Sequence, residues 1–351
     1  MGAPDAHPAA GAGKKATATA AARLPALPAA LRAAAGPARS PARPPALRAA
    51  AAGLAAALLV AAAPLAMTAT PPTTAAASPE GETRAAGPAP APARIVTLAP
   101  HATELVYAAG GGDHMVGTVT SSDFPAPART LPRVGDGMTL NQEKLILLRP
   151  TLIFAWRPSG AAVQAEALAG RLGARMEYSA PARLRDIPAE VRRIGRLLGG
   201  EREADAAASA MEARIDALEA RHSGGPPVTV FIEAGSRPLY TIGNDPLLND
   251  ALRVCGAVNV YGASPIAAPR VAVESVLVHD PRLIVAPARH EENGEAVLER
   301  WRGYGLRAAI EGRVHTADPD ALFRPGPRLI DATEALCAAA EAARLDTRGL
   351  K

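Results

Sequence analysis

The chain has 351 residues, with 38 Lys+Arg against 34 Asp+Glu and a formal net charge of +4, and that length suits about two domains. Eight of the basic and three of the acidic residues fall in positions 1–93, which leaves 30 against 31 in positions 94–351. The basic excess therefore belongs to the leading segment, and no nucleic-acid partner is expected, because binding nucleic acid calls for a basic face on the folded part.

The leading segment, residues 1–93, is built largely of Ala, Pro, Gly, Thr and Arg, and every aromatic residue lies from Tyr107 onward. Such a composition cannot form a packed core. Within it, Arg43 and Arg48 precede the uncharged run Ala49 to Ala63, and Pro64 and small residues follow. A basic flank, a short apolar stretch and a small-residue exit describe a secretion signal with its core at about 43–69. The run is short and weakly apolar for a bilayer span, so cleavage is expected rather than anchoring. The bonds after Ala69 and Ala77 are candidates for the cut. Cysteine does not follow the run, so a lipoprotein is not expected. Cys255 and Cys337 are the two cysteines; an exported chain with a small, even number tends to pair them, two buried free thiols being the alternative.

From Arg94 onward, short Val/Ile-rich runs alternate with helical patterns, which predicts βα units and parallel sheets, an α/β fold. The candidate strands are Ile95 to Leu98, Met115 to Val119, Thr151 to Trp156, Val228 to Glu233, Leu283 to Ala286 and Val314 to Thr316. Between the third and fourth lies a segment of apolar residues spaced by three and four. Ile187, Val191, Ile194 and Leu198 mark one helix, Gly199 and Gly200 a break, and Ala204, Ala208, Met211, Ile215 and Leu218 a longer amphipathic helix. The expected organisation is an N-terminal lobe at 94–183, a helical linker at 184–225, a C-terminal lobe at 226–346 and a short tail at 347–351.

An internal repeat supports two similar lobes. Glu143 is followed seven residues later by Pro150, then by Leu152, Ile153 and Ala155; Glu274 is followed seven residues later by Pro281, then by Leu283, Ile284 and Ala286. The register is the same across 274 − 143 = 131 positions. Two such lobes imply a cleft between them.

Residues with chemical character cluster just after strand ends, where open α/β sheets bind ligands. They are His101 after the first strand, Asp123 and Phe124 after the second, Trp156 and Arg157 at the third, Tyr240 after the strand that opens the second lobe, and Asp318, Asp320 and Arg324 after the last. Aromatic faces with a few charges suit a flat apolar ligand. Taken singly, each has a plainer explanation: Trp156 as core, His101 as the cap of a helix from Ala102 to Ala109, Asp320 with Arg324 as a surface pair. Enzyme signatures are thin. The Gly11–Lys15 stretch imitates a phosphate loop but follows no strand, and HExxH, GxSxG and paired-cysteine zinc spacings are absent from the sequence.

The motifs RIVTLAPHATEL (94–105), SSDFP (121–125), EKLILLRPTLIFAWR (143–157), RVCGAVNVY (253–261) and RPGPRLIDATEALC (324–337) resemble the periplasmic cobalamin-binding proteins of ABC importers, within the helical-backbone class of chelate-binding proteins. The resemblance covers 94–346. It implies a monomeric periplasmic protein with two lobes joined by a long backbone helix, capturing vitamin B12 or a related corrinoid as transported ligand and delivering it to an inner-membrane permease and its ATPase. It implies no cofactor, no resident metal and no catalysis. By position it makes Phe124, Trp156 and Tyr240 aromatic contacts, and Asp320 and Arg324 polar ones; His101 joins this set as a cleft candidate. It makes Cys255 and Cys337 a disulfide, and Glu143 and Glu274 the carboxylates that dock on the permease. The sequence departs from the family where further aromatics would surround the corrin: Ser121, Gly137, Ala234 and Ala268 stand there, a thinner cage. Haem or a ferric siderophore is the alternative ligand class, with His101, Tyr107 and Tyr178 as conceivable haem donors. An exported enzyme on the same bilobal fold is the third reading.

Overall fold

The computed structural model describes residues 93–158, 160–288 and 291–345; the secretion signal and the tail lie outside them. The first sheet is wholly parallel, in the order β2-β1-β3-β4. Its members are β1 (Ile95–Thr97), β2 (Met115–Gly117), β3 (Leu152–Ala155) and β4 (Arg175–Tyr178), connected through α1 (Pro100–Ala108), α2 (Gln142–Leu148) and α3 (Ala161–Leu172). β1 and β3 are buried on both faces, as helix-covered parallel strands must be. β4 was not among the expected strands. Its sequence, RMEY, carries no apolar run, and it is a partly exposed edge strand.

Two helices then cross to the second lobe: α4 (Asp186–Leu198) and α5 (Glu201–His222). The expected Gly–Gly break is where they part, and Gly199 at φ 71° supplies the left-handed residue that ends α4. Ile187, Val191 and Ile194 of α4 and Ala204, Ala208 and Ile215 of α5 are fully buried, so the predicted apolar stripes do face inward.

In the second sheet, β5 (Val228–Ser236) is the long central strand. β6 (Leu239–Thr241) returns antiparallel along its end, and β7 (Ala257–Asn259) runs parallel to its start after α6 (Pro246–Val254). Then come α7 (Val273–His279), β8 (Leu283–Pro287), α8 (Glu291–Gly303), α9 (Arg307–Ile310), β9 (Val314–Ala317), α10 (Pro319–Leu322) and α11 (Arg328–Leu345). β8 and β9 extend the sheet in parallel on the other edge of β5. β6 and β7 were not foreseen as strands; each has three residues, too few to show a period.

The 131-residue repeat is structural. Moved by that shift, α2 falls on α7 end to end and the first residue of β3 falls on the first of β8. Both helices close on a non-glycine residue in the left-handed region, Arg149 at φ 44° and Asp280 at φ 41°.

One continuous apolar core joins the two lobes. It contains Ile95, Leu105 and Phe154 from the first, Ile187, Ile194 and Ile215 from the linker helices, and Val230, Leu329 and Leu336 from the second. Two smaller clusters back the outer faces of the two sheets, around Ile153 with Leu145 and around Phe231 with Trp301. A disulfide joins Cys255, at the carboxyl end of α6, to Cys337 of α11, and both cysteines lie inside the continuous core.

Candidate functional site

Pro100 at the first helical position starts α1 directly after β1, its ring fixing φ where no backbone donor is needed. His101 is therefore a helical residue and does not cap the helix; Ala99 occupies the cap position. The imidazole is buried, and its Nε2 lies 3.0 Å from the Ser179 carbonyl oxygen beyond β4. Burial pulls its pKa down to about 4 against the raising effects of that bond and of Glu190. A neutral ring must then donate its Nε2–H to the carbonyl.

Its edge meets Trp156, with ring centroids 5.9 Å apart and planes at 77°. β3 stops at Ala155, so Trp156 stands just past the strand and leaves the core: its relative exposure is 45%. The Arg157 guanidinium carbon lies 4.8 Å from the indole centroid. Trp156 is thus braced on an edge by a neutral histidine and attended by a cation, an arrangement that holds an exposed ring in place.

After β2 come Asp123 and Phe124. Phe124 is half exposed, and the Arg328 guanidinium of α11 lies 4.6 Å over its ring. Arg328 also grips Glu104 of α1 through two hydrogen bonds, Nη2 to Oε1 at 2.7 Å and Nε to Oε2 at 3.1 Å. Arg324 donates to Asp123 at 2.7 Å and pairs with Asp320 at 2.7 Å, and its Nη1 lies 3.7 Å from Glu104. The Asp320–Arg324 pair is no surface pair, since its side chains are 15% and 13% exposed.

Burial pushes the Glu104 carboxyl up, opposed by Arg328 and Arg324. Burial also raises Asp123, but the Arg324 hydrogen bond and the charges of Arg324 and Arg328 outweigh it, and the net shift is downward. The cluster is thus two arginines set among three carboxylates: Glu104, Asp320 and both arginines are largely buried, where charge pairs are stronger than in solvent, while Asp123 is half exposed at its edge.

Gly326 makes this approach possible. A Cβ there would lie 3.2 Å from Glu104 Oε2 and 3.5 Å from His101 Cβ, so the turn into α11 rests directly on α1. The loops after β1, β2 and β3 in one lobe and after β9 in the other therefore converge, strand carboxyl ends facing each other. A cavity of about 90 Å³ opens at this junction, lined by Trp156, Arg157 and Pro181 on one side and by Leu247, Phe323 and Arg324 on the other.

The structure brings His101, Phe124, Trp156, Asp320 and Arg324 into one neighbourhood. Tyr240 lies elsewhere in the C-terminal lobe: it is part of β6, opposite Gly235 at the end of β5 and bridged to Arg270, with 39% exposure. Glu104 and Arg328 were missed by the sequence reading. A faint signal existed for Glu104, a charge on the helix between the apolar Ala102 and Leu105. Glu143 and Glu274 are exposed in the first turns of α2 and α7, outside the cluster. Among the described residues no group of three or more His, Cys, Asp or Glu could hold a metal ion.

Residues 95–321 match the family described as "Periplasmic binding protein". A curated "Vitamin B12-binding protein" of Photorhabdus laumondii is 33% identical over 247 residues, covering 70% of this chain and 87% of that protein. The crystal structure of the periplasmic vitamin B12-binding protein BtuF of Vibrio cholerae is similar with a TM-score of 0.65 and 32% identity, covering 71% of this chain and 97% of that one. A periplasmic haem-binding protein from Roseiflexus sp. RS-1 has a TM-score of 0.63 at 22% identity, covering 72% of this chain and 99% of that one; at that identity the likeness concerns the fold.

Proposed function

Because the chain belongs to the periplasmic binding protein family, we infer that it captures cobalamin or a related corrinoid between its two lobes and delivers it to an ABC importer, performing no chemistry on it. The observation that carries this reading is the pair of half-exposed rings, Trp156 and Phe124, on the first lobe beside the Arg324 cluster of the second. Flat ring faces cover the apolar parts of a corrin, and arginines and carboxylates meet its amides and phosphate. The cavity beside Trp156, about 90 Å³, is too small for a macrocycle, since drug-sized ligands occupy roughly 300 to 1,000 Å³. The macrocycle therefore rests across the exposed rings, and the cavity receives at most one side arm. Tyr240, on β6 and apart from that cluster, is proposed to add a further aromatic face from the second lobe. His101 acts through Trp156 and does not touch the ligand.

The names of the relatives at 32–33% identity support the corrinoid over haem. Two of the three conceivable haem donors are engaged: His101 Nε2 by Ser179, and the Tyr178 hydroxyl, which donates to Glu166 at 3.2 Å; Tyr107 is the third. Haem would need a donor released to the iron.

On delivery, Glu143 and Glu274 are the carboxylates offered to the permease, whose ATPase drives import. The chain acts as a monomer in the periplasm, exported by a cleaved signal without lipid. Isothermal titration calorimetry of the purified protein with cyanocobalamin, cobinamide and haem tests the ligand class: one-to-one heat with a corrinoid is expected. No heat with either corrinoid, beside a clear haem titration, would falsify the assignment.

A further inference from the structure

The repeat places more than glutamates at matching points. One residue after each repeated glutamate's neighbour the pattern turns inward: Leu145 of α2 and its counterpart Val276 of α7 are fully buried. One turn beyond each glutamate it turns outward again, to Leu147 and Val278, which are 77% and 85% exposed. These are among the most exposed large apolar side chains of the described residues, and they stand at the same register, since 147 + 131 = 278. A scattered exposed leucine needs no explanation. The same exposed apolar position four residues after the same exposed carboxylate, once in each lobe, is a patterned surface. Residues four apart share one helix face.

We propose that Leu147 and Val278 are the apolar halves of two equivalent contact patches, completed by Glu143 and Glu274, and that their occupant is the membrane permease, offering two matching sockets of a cation beside an apolar hollow. The inference rests on the docking reading of the two glutamates and adds what holds the complex once it has formed. Charge complementarity chooses the occupant. A carboxylate at each patch calls for a cationic partner, and duplicated patches call for a partner whose own surface is duplicated. A second copy of this chain is the competing occupant, since a two-fold contact could set the first patch, with Lys144 beside Glu143, against the second, with Ser275 beside Glu274; self-association is therefore read separately in the test. The division of labour follows from the chemistry. Rim charges govern encounter rate and its salt dependence, whereas burying an apolar side chain on docking governs how long the complex lasts.

The test uses the intact protein and its cognate permease–ATPase complex in lipid nanodiscs, with association and dissociation followed by surface plasmon resonance. Leu147→Ser and Val278→Ser are each expected to speed dissociation about tenfold, and the double change about 100-fold, with association rate and cyanocobalamin affinity unchanged. Glu143→Gln with Glu274→Gln is expected instead to slow association and flatten its salt dependence. Wild-type dissociation by the serine double variant, with the glutamine variant impaired, overturns the apolar patches while leaving the docking reading standing. Wild-type behaviour by both variants overturns the docking reading as well. Equal binding to empty nanodiscs, or self-association abolished by the serine changes, overturns the choice of occupant.

Discussion

Trp156 shows how the point where a strand stops sets the exposure of the next side chain. The strand is buried through Ala155, and the next residue emerges against His101 and Arg157. Removing the indole takes away a stacking surface worth roughly 1 to 3 kcal/mol per ring. Trp156→Ala is therefore expected to weaken cyanocobalamin binding by about one to two orders of magnitude in calorimetry, while the melting temperature falls little because half of the ring already faces solvent. A large fall in melting temperature with unchanged affinity would assign the ring to the core. Trp156 was legible in the sequence because it directly follows a recognisable apolar run. Glu104 and Arg328 were not, because 224 positions separate them and local pattern cannot foresee a pair made only when two lobes close on each other.

Between elements, the contact of α1 with the start of α11 carries the charge across the lobes. Glu104 is almost fully buried, and its bidentate partner Arg328 is 14% exposed at the side chain. Removing one member of such a pair leaves an uncompensated buried charge, which costs roughly 3 to 5 kcal/mol. Glu104→Ala should lower unfolding stability by about 3 kcal/mol in urea titration. A loss under about 0.5 kcal/mol would mean that Arg324 and Arg328 re-pair with Asp123 and Asp318, as in a solvated ion pair. The same scale shows why some elements could be read and others could not. β1, β3 and β8 are short buried runs dominated by Val, Ile, Leu and Phe, and the long β5 carries such a run at residues 230–232; burial on both faces forces that composition. β4 and β7 lie at sheet edges, where Arg175 and Val258 are exposed, and a half-solvated strand of three or four residues leaves no signature. The two backbone helices were legible from spacing alone, because each buries one stripe.

For the whole molecule, the bridge between Cys255 and Cys337 closes a loop across a separation of 82 residues. In the chain-entropy account such a loop restricts the unfolded state by about 4 kcal/mol. Replacing both cysteines by alanine should lower the melting temperature by roughly 10 °C in differential scanning calorimetry, with corrinoid affinity held, since the bridge lies at the far end of α6 from the cavity. An unchanged melting temperature would mean that the packed core alone sets the stability.

The single core shared by both lobes has a consequence for how cargo is let go. With Ile187, Ile194 and Ile215 packed from one sheet to the other, the two halves cannot swing apart without exposing apolar surface. A cleft fixed in this way imposes little ordering cost on capture. By the same reasoning the empty and the loaded molecule are expected to have nearly the same outline, and a receptor that told them apart would have to sense the contents of the cleft.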